Sequence, residues 1–313
     1  MTTDRRAPVH PAPIRLALIG IGKIARDQHL PAIAADPAYT LAAAVSRNAH
    51  VDGVPNFHDI EALIASGLAI DAVSIATPPL GRHVIAAAAL AQGWHVMLEK
   101  PPGATLGEVR ALAPGDRTLF TSWHSRHAAG VAVARAWLAD RRIARARIDW
   151  REDIRHWHPG QDWILAPGGL GVFDPGINAL SIATAILPGR LHVEQARLDF
   201  PANRGAPIAA SLTLKHGETP VAAKLDFLQA GPQSWDIMVE TDGGTLTLHD
   251  GGARLDIDGA AQALPDGGEY PGLYRQFAEL IASGRSDVDL TPLELVADAF
   301  LIGEHHKVAA FDW

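Results

Sequence analysis

Residues 14–25 run Ile-Arg-Leu-Ala-Leu-Ile-Gly-Ile-Gly-Lys-Ile-Ala, a short apolar strand followed at once by Gly-x-Gly-x-x-Ala. This spacing puts Gly20 in a tight turn, lets the backbone at Gly22 approach a ligand, and leaves room for a helix to rest on the strand at Ala25. The helix N-terminus offers free N–H groups and a positive dipole end to phosphates. The stretch therefore predicts a dinucleotide site. The residues expected around the phosphates are Gly20, Gly22, Lys23 and Ile24.

The pattern around this motif supports that interpretation over a plain strand–helix turn, because apolar runs alternate with helix-length segments up to about residue 122. Strands are predicted at 14–19, 41–45, 72–75, 94–98 and 118–121. Helices are predicted at 24–35, 59–66, 83–92 and 105–112, the last opening with the spacing of a capping box. Continuous apolar strands between helices indicate an α/β domain with a doubly wound parallel sheet covered on both faces.

After residue 123 the strands acquire one polar face, which is typical of an antiparallel sheet. Strands are predicted at 145–150, 193–200, 208–215, 221–227, 235–241, 245–249 and 254–258, and helices at 128–139, 270–283 and 292–310. His305 and His306 are expected on the exposed side of the last helix. We therefore predict a disordered tail (1–13), a nucleotide-binding domain (14–122) and an α+β domain with a mostly antiparallel open sheet (123–313).

Composition narrows the classes of function. The 313 residues carry a net charge of −8 and no cysteine, which excludes thiol catalysis and disulfides and argues against broad nucleic-acid binding. The longest strongly apolar stretch, 84–91, is too short to span a bilayer, and the opening residues lack the apolar segment of a signal peptide. We expect a cytoplasmic protein that binds neither nucleic acid nor membrane.

Residues 94–102, Trp-His-Val-Met-Leu-Glu-Lys-Pro-Pro, form an apolar strand that ends in a Glu-Lys pair. The two prolines prevent the strand from continuing. Lys100 therefore stands at the carboxyl edge of the predicted sheet, where open α/β sheets bind ligands. A lysine in that position is well placed for proton chemistry.

The end of the second strand bears on which dinucleotide is bound. NAD-specific proteins usually place an acidic residue there, whereas this chain has Ser46 and Arg47. A hydroxyl and a guanidinium can hold a 2′-phosphate, which a carboxylate would repel. We therefore predict a preference for NADP with some use of NAD. The alternative is that Arg47 is a solvated loop residue that stacks on adenine.

A second group of candidates lies in the second half of the chain. Asp174 precedes a proline, as an N-cap does, and Asn178 follows one helical turn later. Glycines 168, 169 and 171 would allow a ligand to approach closely, which favours a functional role over simple capping.

If the segment after residue 151 is extended, Glu152, His156 and His158 share one face. Aromatic candidates for the wall of a sugar site are Trp157, Trp163 and Trp123, and His124 is a further hydroxyl ligand. No third ligand accompanies His156 and His158, so a metal site is disfavoured.

The motifs as a set resemble the glucose–fructose oxidoreductase/inositol dehydrogenase (Gfo/Idh/MocA) family. They are the glycine motif, Thr77-Pro78-Pro79 with His83, Glu99-Lys100-Pro101, Trp123-His124-Ser125-Arg126, and the stretches 157–161 and 169–178. The resemblance implies a Rossmann domain followed by an open-sheet domain whose face forms homodimer contacts. It also implies cofactor contacts from Thr77, His83, Glu99 and Lys100, and a cis Lys100–Pro101 bond.

The resemblance further implies oxidation of C1 of an aldose, L-arabinose or D-galactose, to the lactone with NADP or NAD. Lys100 and Asp174 would bracket the C1 hydroxyl, with Lys100 as the direct base, since the oxidation must release a proton. The expected sugar contacts are Glu152, His124, His158, Trp157 and Asn178.

Two departures from the family pattern stand out. Pro79 occupies the place of an asparagine that is frequent in the family, and Asn178 that of a frequent histidine. Asn178 disfavours an inositol or polyol dehydrogenase. A non-catalytic, dinucleotide-binding sugar sensor is the third possibility.

Overall fold

The computed structural model describes residues 12–313, so the predicted tail lies almost wholly outside the described residues. The first sheet consists of β1 (Ile14–Ile19), β2 (Tyr39–Val45), β3 (Asn56–Phe57), β4 (Ala72–Ile75), β5 (His95–Leu98) and β6 (Leu119–Thr121). Its strands are all parallel and follow the order β3-β2-β1-β4-β5-β6, the Rossmann arrangement. The five predicted strands lie within two residues of their expected bounds.

Helices cover both faces of this sheet, as continuous apolar strands require. They are α1 (Leu30–Ala35, preceded by a π-helical turn, Ala25–His29), α2 (Ile60–Ala65), α3 (Arg82–Ala91) and α4 (Leu106–Arg110). Asp59 and Thr105 cap α2 and α4 by accepting hydrogen bonds from Ala62 N and Glu108 N. The Glu108 carboxylate accepts from Ala104 N, so only half of the predicted capping box forms.

The second sheet has nine strands in the order β14-β13-β12-β11-β7-β10-β9-β8-β15. Its strands are β7 (Ile143–Arg151), β8 (Leu191–Pro201), β9 (Ala209–His216), β10 (Thr219–Asp226), β11 (Ser234–Thr241), β12 (Gly244–His249), β13 (Arg254–Ile257), β14 (Ala260–Ala261) and β15 (Glu304–Val308). Only the β7–β10 and β8–β15 pairs are parallel, so the sheet is mostly antiparallel, as predicted.

Helices pack on one face of this second sheet and leave the other open. The helices of this half are α5 (Ala129–Leu138), α6 (Ile154–Trp157), α7 (Phe173–Ile186), α8 (Glu269–Ser283) and α9 (Thr291–Ile302). Helix α7 is buried on almost every side, and a Cβ at Gly176 would lie 2.6 Å from Leu225 of β10. Along each strand, buried residues alternate with residues on the open face, which carries polar side chains such as Arg147 and Lys224.

One predicted helix is wrong in part. The segment expected as a helix over 292–310 is helical only to Ile302, and residues 304–308 form β15 instead. Gly303 has extended torsions, and its place is tight, since a Cβ there would lie 2.4 Å from the Ala299 carbonyl oxygen. The chain then pairs in parallel with the free edge of β8. His305 and His306 therefore lie on an edge strand, because tertiary pairing overrides a helical pattern.

Helix α8 joins the two halves of the chain. It follows β14 of the second sheet in sequence, yet Leu273, Tyr274 and Phe277 are fully buried against the first sheet beside Leu16 and Phe120. The Tyr39 hydroxyl donates to the Tyr274 carbonyl oxygen at 2.7 Å. One face of the first sheet is thereby held against a helix from the second half.

Within residues 12–313 no helix combines the length and the apolar character needed to cross a membrane.

Candidate active site

A cleft of about 810 Å³ opens where β1, β2 and β4 end, at the carboxyl edge of the first sheet. From the first half of the chain it is lined by, among others, Gly20, Gly22, Ser46, Arg47 and Thr77. From the second half Trp163 and the 166–169 segment close its opposite side. The position matches the crevice in which doubly wound sheets bind dinucleotides.

The glycine motif has the geometry that a pyrophosphate requires. Gly20 has φ +94°, and a Cβ there would lie 2.6 Å from Thr77 N, so only glycine lets β1 turn this close to the end of β4. A Cβ at Gly22 would meet nothing within 4 Å, which leaves its backbone open to the cleft. The buried Thr77 hydroxyl has no hydrogen-bond partner among the described residues. These features fit a bound nicotinamide dinucleotide.

Five residues that the sequence predicted as cofactor contacts, Lys23, Ile24, His83, Glu99 and Lys100, do not line this cleft. Lys23 pairs with Asp27, and Ile24 is 39% exposed. His83 Nδ1 faces Glu108 Oε2 at 3.5 Å. The Glu99 carboxylate is buried behind the sheet edge.

Acidic side chains also border the cleft near the end of β2. Asp59 and Glu61, at the start of α2, line it together with Ser46 and Arg47. The hydrogen bond from Ala62 N, assisted by His58, lowers the pKa of Asp59, so this carboxylate is ionised at neutral pH. A 2′-phosphate in the cleft would therefore lie near the positive charge of Arg47 and the negative charges of Asp59 and Glu61.

The lysine at the tip of β5 meets the aspartate of the second half. Lys100 Nζ lies 2.9 Å from the Asp174 carbonyl oxygen and 3.4 Å from its Oδ2. Both side chains are largely buried, at 15% and 6% exposure. The Lys100–Pro101 bond is cis, as the family resemblance implies. An amine and a carboxylate thus lie together between the two halves of the chain.

Asp174 is not the predicted N-cap. Helix α7 begins at Phe173, Val172 holds the cap position, and Asp174 stands in the first turn without a capping hydrogen bond. The helix starts early because Gly171, with φ +57°, turns the chain against Pro207. The Asp174 carboxylate is consequently left free to face Lys100. Asn178, one turn later, is partly exposed, and its side-chain amide bonds to no described residue.

An arginine that the sequence analysis missed connects the cleft to Lys100. The buried Arg82 guanidinium donates to the carbonyl oxygens of Thr77, Glu99 and Pro101, on both sides of Lys100. Burial lowers the pKa of Arg82 to about 10, while the charges of Glu99 and Asp174 oppose that shift. A lone arginine at the start of the apolar 82–91 helix was the sequence feature that could have revealed it.

Behind Lys100, the Glu99 carboxylate accepts a hydrogen bond from the Tyr270 hydroxyl at 2.6 Å, and His29 Nε2 lies 3.5 Å away. Although burial opposes its charge, His29 and the nearby cations hold the pKa of Glu99 well below its usual range. The carboxylate therefore serves as a buried anion that fixes α8 to the tip of β5.

The segment after β7 is not extended, the condition under which Glu152, His156 and His158 would share a face, because residues 154–157 form α6. Glu152 is nonetheless joined to His158: one carboxylate oxygen faces His158 Nε2 at 2.9 Å, and the other accepts from Trp235 Nε1 at 2.8 Å. His156 is exposed and takes no part. Trp235 was expected only as the first residue of a strand and not as part of the site.

The aromatic candidates separate into three environments. Trp157 packs against Trp235 with ring centroids 4.7 Å apart, beside Glu152. Trp163 lines the nucleotide cleft. Trp123 is buried and donates to the Asp289 carbonyl oxygen, so it cannot form part of a sugar-binding wall. His124 is almost buried, and its Nδ1 lies 3.0 Å from Glu269 Oε2.

Comparisons with known proteins agree with this geometry. The model of the Gfo/Idh/MocA oxidoreductase family, with an NAD-binding Rossmann fold, matches residues 14–114. Galactose 1-dehydrogenase from Pseudomonas fluorescens is 47% identical over 307 residues, covering 96% of this chain and 99% of that protein. The crystal structure of D-galactose-1-dehydrogenase from Rhizobium etli superposes with a TM-score of 0.93 at 51% identity, covering 97% of this chain and 99% of that one.

A more distant structure shares the fold alone. KijD10, a 3-ketoreductase from Actinomadura kijaniata solved with NADP and TDP-benzene, has a TM-score of 0.79 at 18% identity, covering 95% of this chain and 99% of its own.

Gly20→Ala tests the geometry of the glycine motif. We expect it to weaken cofactor binding at least about tenfold and to lower thermal stability, because the added Cβ meets Thr77 N at 2.6 Å in a left-handed backbone. Gly53→Ala is the matched control, with φ +80° and nothing within 4 Å of its Cβ. Titration with NADPH and NADH, with melting curves, measures both effects. Equal behaviour of the two variants would contradict a close approach at Gly20.

Proposed function

Because this chain belongs to the Gfo/Idh/MocA oxidoreductase family, we propose that it is an aldose 1-dehydrogenase that oxidises D-galactose and L-arabinose to their lactones. The two similar proteins named as galactose 1-dehydrogenases support galactose as a substrate. L-Arabinose has the same hydroxyl configuration around the ring and lacks only the hydroxymethyl group. The observation that carries the proposal is the Lys100–Asp174 contact beside the nucleotide cleft.

The chemistry requires a group that takes the proton of the C1 hydroxyl as hydride leaves the same carbon. A nicotinamide dinucleotide bound in the cleft supplies the hydride acceptor. Lys100 is the base in this proposal, and Asp174 orients its amine at 3.4 Å. Arg82 fixes the carbonyl groups on either side of Lys100, so the amine is held in place.

The remaining polar groups supply the sugar contacts. The side-chain amide of Asn178, one turn from Asp174, bonds to no residue in 12–313 and presents a donor and an acceptor. His158, oriented by Glu152, offers a ring nitrogen, and Trp157 offers an apolar surface. Since Asn178 cannot act as a base, proton transfer in this proposal depends on Lys100 and Asp174. Glu152 contributes by holding His158, because both of its oxygens already face internal donors.

For the cofactor we propose a preference for NADP with residual use of NAD. Support comes from Ser46 and the exposed Arg47, which border the cleft where the adenosine ribose of a dinucleotide lies in this fold. Asp59 and Glu61 oppose a 2′-phosphate, so the preference is moderate rather than absolute.

We also propose a homodimer formed through the open face of the second sheet. This face carries ionic pairs such as Arg145 with Glu240 at 2.6 Å, together with Met238 and Lys224, and no described helix covers it. Light scattering should then give about twice the 33.3 kDa chain mass. A monomer at micromolar concentration would contradict this assembly.

The function is tested with a panel of aldoses and inositols, by following the absorbance of the reduced nicotinamide. We expect D-galactose and L-arabinose to give the highest kcat/KM, with lactones as products. For myo-inositol we expect kcat/KM to be at least about a hundredfold lower, because Asn178 cannot act as the base that polyol oxidation requires. Turnover of inositols instead would favour a polyol dehydrogenase. Cofactor binding without turnover of any compound would favour a sensor.

Arg47→Ala tests the cofactor preference. Removal of the guanidinium should lower kcat/KM for NADP about tenfold while leaving NAD within about twofold, since a charge-assisted hydrogen bond is worth roughly 1.5–3 kcal/mol. Arg26→Ala is a suitable control, because Arg26 follows the same glycine turn but does not line the cleft. An unchanged ratio of the two cofactors would assign Arg47 to solvent.

A further inference from the structure

His124 lies beside Lys100 without being used by the chemistry proposed above. It begins the turn His124–His127 that follows β6, and β6 pairs with β5, whose end carries Glu99 and Lys100. The ring is only 8% exposed and stacks on Tyr270 with centroids 5.1 Å apart. A titratable group is thus buried at the same sheet edge as the amine that must gain and lose a proton.

The two nitrogens of His124 have different surroundings. Nδ1 lies 3.0 Å from Glu269 Oε2, with the Ser125 hydroxyl 3.3 Å away. Nε2 bonds to no residue in 12–313 and is not sealed within the protein. Glu269 is the first residue of α8, and its side chain is 35% exposed. Together His124 and Glu269 form a continuous path from the buried sheet edge to the surface.

The electrostatic surroundings couple the two residues. Burial opposes a charge on His124, but Glu269 raises the pKa of His124. Burial likewise opposes a charge on Glu269, but His124 lowers the pKa of that partly exposed carboxyl. The charged and titratable groups facing the imidazole are Glu269 and Tyr270 of α8, Glu99 and Lys100 at the tip of β5, and His127 of the same turn. Of these, Glu269 is the one in hydrogen-bond contact with the ring.

We propose that His124 and Glu269 carry to solvent the proton that each sugar oxidation releases, a role that rests on the proposed function. Oxidation breaks the C1–H and O–H bonds: the hydride goes to the nicotinamide and the hydroxyl proton to Lys100. Lys100 passes this proton to His124 Nε2 through water. The Nδ1 proton then moves to Glu269 and from there to bulk water. This leaves the imidazole with its hydrogen on Nε2, and proton exchange with water, lost from Nε2 and regained at Nδ1, restores the starting tautomer. Glu269 is the positioning residue, because it acts through His124.

The first test needs no substrate or cofactor. In protein labelled with ¹³C-histidine, NMR titration of Glu269→Gln should give a lower pKa for His124 than in the wild type, because a neutral amide no longer stabilises the imidazolium. Glu279→Gln, on the exposed side of the same helix, is the matched control and should leave the titration unchanged. An unaltered His124 pKa in Glu269→Gln would overturn the dyad.

The second test separates proton release from a structural role. Glu269→Gln and His124→Ala should lower kcat for D-galactose at least about tenfold with KM nearly unchanged, and imidazole added to His124→Ala should restore much of the loss. A rise in KM alone would assign His124 to sugar binding and overturn the relay, as would wild-type kcat in both variants. If the wild type oxidises no aldose, the proposed function fails, whereas the NMR result still decides whether the dyad exists.

Discussion

The contact between Lys100 and Asp174 is the interaction on which the remaining site depends. It joins the tip of β5 to the first turn of α7, and both side chains are almost withdrawn from water. Leaving either charge alone in such a place costs about 3–5 kcal/mol, so the two halves of the chain must keep this geometry to remain stable. The hydrogen bond from Lys100 to the Asp174 carbonyl oxygen, at 2.9 Å, also fixes the orientation of the Lys100 amine relative to Asp174. One pair therefore serves both packing and chemistry.

A second layer of buried polar groups keeps that pair in position. Arg82 binds the carbonyl oxygens on either side of Lys100 and the one at Thr77, so the nucleotide cleft and the amine cannot move independently. Glu99 ties the same strand tip to Tyr270 of α8, the helix that closes the first sheet. Networks of this kind are stable only when every member has a partner. Changes far from Lys100, in α3 or α8, should consequently reach it.

The sequence predicted what local rules determine. The glycine motif, the parallel strands and the Glu99-Lys100-Pro101 stretch all follow from periodicity, proline chemistry and the tight turn at Gly20. The predictions from sequence were wrong where residues distant in sequence determine the local structure. Asp174 has a cap-like sequence, but contact with Pro207 starts α7 earlier, and the free edge of β8 turns a predicted helical end into β15. Arg82 and Glu269 were missed because their partners lie on other elements.

Lys100→Met gives the most direct test of this account, since methionine keeps the length of the side chain and removes the amine. We expect kcat for D-galactose to fall at least about a hundredfold while the dissociation constant of NADPH stays within about twofold. Lys307→Met, at an exposed position on β15, controls for the loss of one positive charge and should retain full activity. A Lys100→Met enzyme that binds NADPH normally and keeps most of its kcat would contradict the account.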